Sequence, residues 1–115
     1  MQSFSMARLE AHRLLDGRPY LEFLRQDALS AGLYVLPAGG VDRQAPHTED
    51  EVYVVMAGRA RFICGKETQH VAPGDTLFVP AGVAHKFQAI SEELRLIVVF
   101  APPEGSAETL QASAA

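Results

Sequence analysis

From Pro19 onward, glycine and proline interrupt the chain at short intervals, and the stretches between them are rich in β-branched and aromatic residues. That punctuation limits what the chain can fold into. No sustained helical period survives beyond the N-terminus, whereas a strand needs only about five or six residues. Strands are expected at residues 20–25, 29–36, 51–56, 59–64, 67–71, 76–79, 85–90 and 94–100. Gly58 is expected to stop the third, Gly65-Lys66 to close a hairpin, and Pro73-Gly74-Asp75 and Pro80-Ala81-Gly82 to form turns. Short strands at this spacing describe an all-β fold, a small antiparallel barrel or sandwich. Ahead of it, residues 1–18 read as an N-terminal arm. Ser5 can cap a short helix through Leu15, with Gly17 ending it and Leu9, His12 and Leu15 on one face. Residues 19–103 make the barrel, and the alanine-rich residues 104–115 read as a flexible tail.

The 115 residues make one domain, large enough to bury a real core. A net charge of -4, with ten scattered Lys and Arg, leaves no basic face for phosphates, so nucleic acid is not an expected partner. No apolar run approaches bilayer-spanning length, and Glu10 and Asp16 stand where a signal peptide would be apolar. With the lone Cys64, expected to be a buried core thiol, this points to a cytoplasmic protein without a membrane partner. The segments VYVVM (52–56) and LIVVF (96–100) are apolar at consecutive positions, so both of their faces need cover. A second copy in a homodimer is the expected cover, with the N-terminal strands as the competing one.

Chemistry concentrates in two places. His47 and Glu51 stand four apart at the start of an apolar strand, and His85 follows the Pro80-Ala81-Gly82 turn. If strand alternation holds, His47, Glu51 and Tyr53 look inward together, and His85 and Phe87 look into the same interior. An interior carboxylate needs a compensating cation or metal. Spacing alone leaves two readings open. The three residues are metal ligands, or His47 and His85 are hydrogen-bonded structural residues while Glu51 caps a turn.

The two stretches resemble the paired motifs of the cupin family. The first family motif runs Gly, five residues, His-x-His, three or four residues, Glu, six residues, Gly. Here stand Gly39, Ala45-Pro46-His47, Glu51 and Gly58 at those spacings. The second runs Gly, five residues, Pro-x-Gly, two residues, His, three residues, Asn, and here stand Gly74, Pro80, Gly82 and His85. The resemblance covers roughly the central half of the chain. It implies a jelly-roll barrel with a divalent metal inside, near one mouth, and it leaves the reaction open.

Two positions depart from the pattern: Ala45 replaces the first family histidine and Ala89 the terminal asparagine. The remaining His47, Glu51 and His85 make a two-His-one-carboxylate set that suits iron(II) and that zinc, manganese or nickel would also accept. Gln44 is the candidate fourth ligand. Strict alternation puts it on the opposite face, and a bulge at Pro46 would turn it inward. Glu49 is expected in an exposed loop, and His12 and His70 outside the site. The pocket is expected to contain Tyr53, Phe62, Phe87 and either Leu77 or Phe78. Tyr53 and Glu49 are the acid-base candidates. Two functions follow: a metal-dependent dioxygenase or isomerase acting on a small oxygen-bearing organic molecule, or a non-catalytic ligand-binding or sensing barrel, with or without metal.

Overall fold

The computed structural model describes residues 1–106. Of the expected tail, residues 107–115 lie outside the described residues. Helix α1 (Met6–Asp16) forms where its caps dictate. The Ser5 side chain accepts the Arg8 amide, and Gly17, at φ 79°, takes the left-handed conformation that lets its N–H reach the Arg13 carbonyl. Leu9 alone on this helix is buried, against Leu33 and Val35, while His12 and Leu15 face solvent. Among the described residues, no helix is long and apolar enough to cross a membrane.

Among the described residues six strands follow, not eight: β1 (Tyr20–Arg25), β2 (Ser30–Leu36), β3 (Asp50–Cys64), β4 (Glu67–Val71), β5 (Thr76–Val79) and β6 (His85–Ala101). They are antiparallel, in the order β1-β2-β6-β3-β4 with β5 also paired to β3, and this path does not close on itself. The two missing strands are explained by Gly58. It was expected to stop a strand, yet β3 runs through it and pairs with an equally continuous β6. Glycine marks a bulge as readily as a turn. At φ 94° it lies so close to β6 that a Cβ would stand 2.2 Å from the Glu93 carbonyl oxygen. The β3–β6 register shifts between Val55 and Arg61, and the two strands bend there together. Residues 50–55 pair with 96–101 and β5, whereas residues 60–64 pair with 85–88 and β4. One bent pair thus serves both halves of the jelly roll.

The concave face holds one core of Tyr53, Val55, Phe62, Phe87, Leu94, Leu96, Val98 and Phe100 with their neighbours. On the convex face, α1 covers Leu33 and Val35, with Phe23 and Ile97 packed alongside. The arm supplies part of the cover that the consecutive apolar residues demand, and Met56 and Phe78 remain exposed.

Placing alanine at Gly58 meets both the positive φ and the Glu93 carbonyl, so Gly58→Ala should lower unfolding free energy by more than about 1 kcal/mol, read as a lower urea midpoint. A midpoint equal to wild type would remove the bend from the determinants of the fold.

Candidate metal centre

The residues between β2 and β3 bring the first polar groups into the core. Asp42 is only 6 % exposed, and its carboxylate accepts the Tyr34 hydroxyl (2.7 Å), the Gln44 side-chain amide (2.9 Å) and the Phe87 backbone N–H (3.0 Å). These bonds pin the segment to β2 and β6 and compensate the buried charge. They also orient Gln44. With its Nε2 donating to Asp42, Gln44 Oε1 accepts the Tyr53 hydroxyl at 3.0 Å and lies 3.1 Å from His47 Nε2. Gln44 therefore faces inward. No bulge is required, because residues 41–47 are not a strand and alternation does not govern them.

Glu51 opens the concave face of β3 and is 1 % exposed. Its Oε1 lies 2.8 Å from His85 Nε2, yet neither carboxylate oxygen has a partner in hydrogen-bonding geometry. His85, from the start of β6, has its Nδ1 2.9 Å from the Val83 carbonyl. The carbonyl can only accept, so Nδ1 carries the proton, and in the neutral imidazole the Nε2 lone pair faces Glu51 and the Tyr53 hydroxyl, 3.1 Å away. His47 packs edge-on to Phe100, with ring centroids 4.8 Å apart, and lies 5.7 Å from the His85 ring. One donor atom each from His47, Glu51 and His85 falls within 4.8 Å of the others. Two imidazoles and a carboxylate that lacks hydrogen bonds are a donor set that could hold a divalent metal.

Local electrostatics follow from this packing. Burial pulls the His85 pKa down, but the Glu51 carboxylate and the Val83 carbonyl push it up, and the net shift is upward. Burial, then the Glu51 charge, drives the Tyr53 phenol far above its ordinary value, so Tyr53 is a hydrogen-bond donor in this state. Phe62 and Phe87 close the wall behind it, at centroid distances of 5.7 and 5.0 Å from the Tyr53 ring. Of the two β5 candidates, Leu77 is buried and Phe78 points to solvent. Cys64 is half-buried against the same core, and burial raises its thiol pKa.

Glu49 corrects an expectation. Rather than lying in an exposed loop, it is 2 % exposed, bound by the Thr48 hydroxyl and by the Gly105 N–H at 2.9 Å. A contact 56 residues away leaves no local trace in the sequence. His70 stands exposed on β4 opposite Arg61, beside a 480 Å³ surface groove remote from the cluster. Sequence reasoning missed Asp42, Tyr20, Tyr34 and Glu104. The last three, with Phe100, bound a cavity of 150 Å³ that opens onto Gln44, His47 and Glu51. A carboxylate in the short Gly40-Val41-Asp42 segment was the one available signal for Asp42.

A family profile described as the cupin domain matches residues 32–100. The chain is 54 % identical over 104 residues to the uncharacterized protein SCO3923 of Streptomyces coelicolor, covering 90 % of this chain and 99 % of that protein. It is 30 % identical over 86 residues to the dimethylsulfoniopropionate lyase DddQ of Ruegeria pomeroyi, covering 74 % of this chain but 41 % of the lyase. The crystal structure of that lyase superposes with a TM-score of 0.62 at 28 % identity, over 66 % of this chain and 39 % of the lyase chain. TT1209 from Thermus thermophilus shares the fold, with a TM-score of 0.72 at 24 % identity over 90 % of this chain and 99 % of that one.

The raised pKa of His85 has a thermodynamic consequence for the metal-stripped protein. A histidine titrating higher in the folded state than at its unfolded value near 6.5 contributes stability that is fully present below that pH and lost as pH rises through the folded value. The urea midpoint of wild type should therefore exceed that of His85→Gln by most near pH 6 and by progressively less toward pH 9. A difference independent of pH would contradict the upward shift.

Proposed function

The chain belongs to the cupin domain family, and on that premise we propose that it is a metal-dependent enzyme acting on a small carboxylate-bearing molecule. His47, Glu51 and His85 hold one divalent cation in this reading, and Gln44 Oε1 is the fourth donor. The observation that carries it is Glu51. A carboxylate 1 % exposed, with neither oxygen in good hydrogen-bond geometry and the His85 imidazole at 2.8 Å as its close ionisable partner, is an acceptor that a divalent cation would stabilise further. Gln44 supplies an oxygen next to the position where Ala45 has no donor to offer, and Asp42 holds it in place. Iron(II), zinc, manganese and nickel are all compatible with the set. Bound there, such an ion would supply Lewis-acid activation of an oxygen donor on the substrate.

The protein's own groups do the remaining work. Val83 fixes the tautomer of His85, Tyr53 donates a hydrogen bond within the centre, and Phe62, Phe87 and Phe100 keep bulk water from one side. The 150 Å³ cavity is of a size that suits a small metabolite. Likeness to a lyase that acts on dimethylsulfoniopropionate supports an elimination reaction on such a molecule. A second reading, oxygen activation of the dioxygenase kind, is favoured by the two-His-one-carboxylate set itself.

Metal analysis of the purified protein tests the centre. Wild type should carry about one equivalent, and His47→Ala and His85→Ala less than about a tenth of that. Equal content in all three would remove the site. Assays of iron-, zinc- and manganese-loaded protein against dimethylsulfoniopropionate and other short carboxylates then separate the chemistries. Product without oxygen uptake indicates a lyase, oxygen uptake indicates an oxygenase, and binding without turnover by any metal form indicates a sensing barrel and contradicts both.

A further inference from the structure

We propose that the cavity beside the cluster takes a small carboxylate that also carries a quaternary ammonium or sulfonium cation, with Tyr20, Tyr34, Phe100 and Glu104 receiving the cationic end. The inference rests on the metal reading above, which gives the ligand's carboxylate its place at the metal. It adds what the rest of the cavity lining selects.

That lining is aromatic and acidic. The Tyr20 ring meets Tyr34 and Phe100 edge-on, at centroid distances of 6.0 and 6.5 Å. It can lie over β2 because residue 32 is glycine. A Cβ there would sit 2.2 Å from the Tyr20 ring and hydroxyl, so any other residue at position 32 would evict the tyrosine. The Tyr20 hydroxyl is shielded from solvent and has no hydrogen-bond partner, whereas the Tyr34 hydroxyl is committed to Asp42.

Glu104 provides the charge. Its backbone is fixed at both ends: the N–H donates to the buried Ser30 hydroxyl at 3.0 Å, and the carbonyl accepts from Arg25 at 3.1 Å. The next residue, Gly105, is tied to Glu49. The Glu104 side chain is left over the cavity, with its carboxylate 3.8 Å from His47 Nδ1, beyond hydrogen-bond length. Arg25, the cation that could neutralise it, spends its side chain on the Glu22 carboxylate at 2.9 Å and on the Glu104 carbonyl. The cavity beside His47 therefore presents three aromatic rings and a carboxylate whose nearest cationic group is the His47 imidazole, 3.8 Å away. An onium group is weakly hydrated, has no N–H to satisfy, and is attracted both to aromatic rings and to a nearby negative charge. A neutral alkyl group of the same shape gains only its apolar contacts.

Glycine betaine and 3,3-dimethylbutanoate differ by one atom, a nitrogen cation against a quaternary carbon, and isothermal titration of the zinc-loaded full chain with each isolates the charge. Betaine should bind at least about tenfold more tightly. In Glu104→Gln the preference should fall to within about threefold, with zinc content unchanged. Equal or tighter binding of 3,3-dimethylbutanoate to wild type overturns the inference, as does a preference that survives in Glu104→Gln. Retention of zinc with no binding of either ligand also overturns it while leaving the metal centre standing. Failure of the wild-type chain to hold zinc removes the metal reading and this inference together.

Discussion

Taking a carboxylate out of water costs several kcal/mol, and Glu51 is buried at the centre of the concave face with the His85 imidazole, 2.8 Å away, as its close ionisable partner. A fold of this size has little stability to spare for such a group. The surroundings of Glu51 make physical sense around a cation. His85 approaches with its Nδ1 held by Val83, His47 comes from the segment before β3, and Gln44 is turned so that its oxygen faces the same point. His85 Nε2 lies 2.8 Å from the carboxylate and 3.1 Å from the Tyr53 hydroxyl.

The fold serves that arrangement through two long strands. Because β3 and β6 bend together at Gly58, the start of β3 and the start of β6 belong to different halves of the sheet, yet both deliver a side chain of the Glu51 and His85 cluster to one interior. Asp42 then ties the segment carrying Gln44 and His47 to β6 through the Phe87 amide. The preference for a bent continuous strand over two short ones is thus what brings His47, Glu51 and His85 together. The same geometry leaves a cavity between the cluster and the residues after β6, where the backbone of Glu104 is fixed at Ser30 and Arg25.

Much of this was legible in the sequence because strand chemistry is local. Glycine and proline marked nearly every strand end, Ser5 and Gly17 marked the helix, and the spacings around His47, Glu51 and His85 matched the motifs of the cupin family to which the chain belongs. The failures have physical causes of their own. At Gly58 the sequence suggests a stop because glycine's tolerance of positive φ fits a turn and a bulge equally well. Gln44 was assigned by alternation, which has no force outside a strand. Glu49, Asp42 and Glu104 depend on partners 56, 45 and 74 residues away, and no local pattern encodes such pairings.

Thermal unfolding of stripped wild type and Glu51→Gln, titrated with zinc, tests the role of that carboxylate most directly. At zinc a hundredfold above its dissociation constant, wild type should gain on the order of 10 °C, and Glu51→Gln, which keeps the shape but loses the charge, should gain little. An equal gain in both proteins would contradict a metal centre built on Glu51.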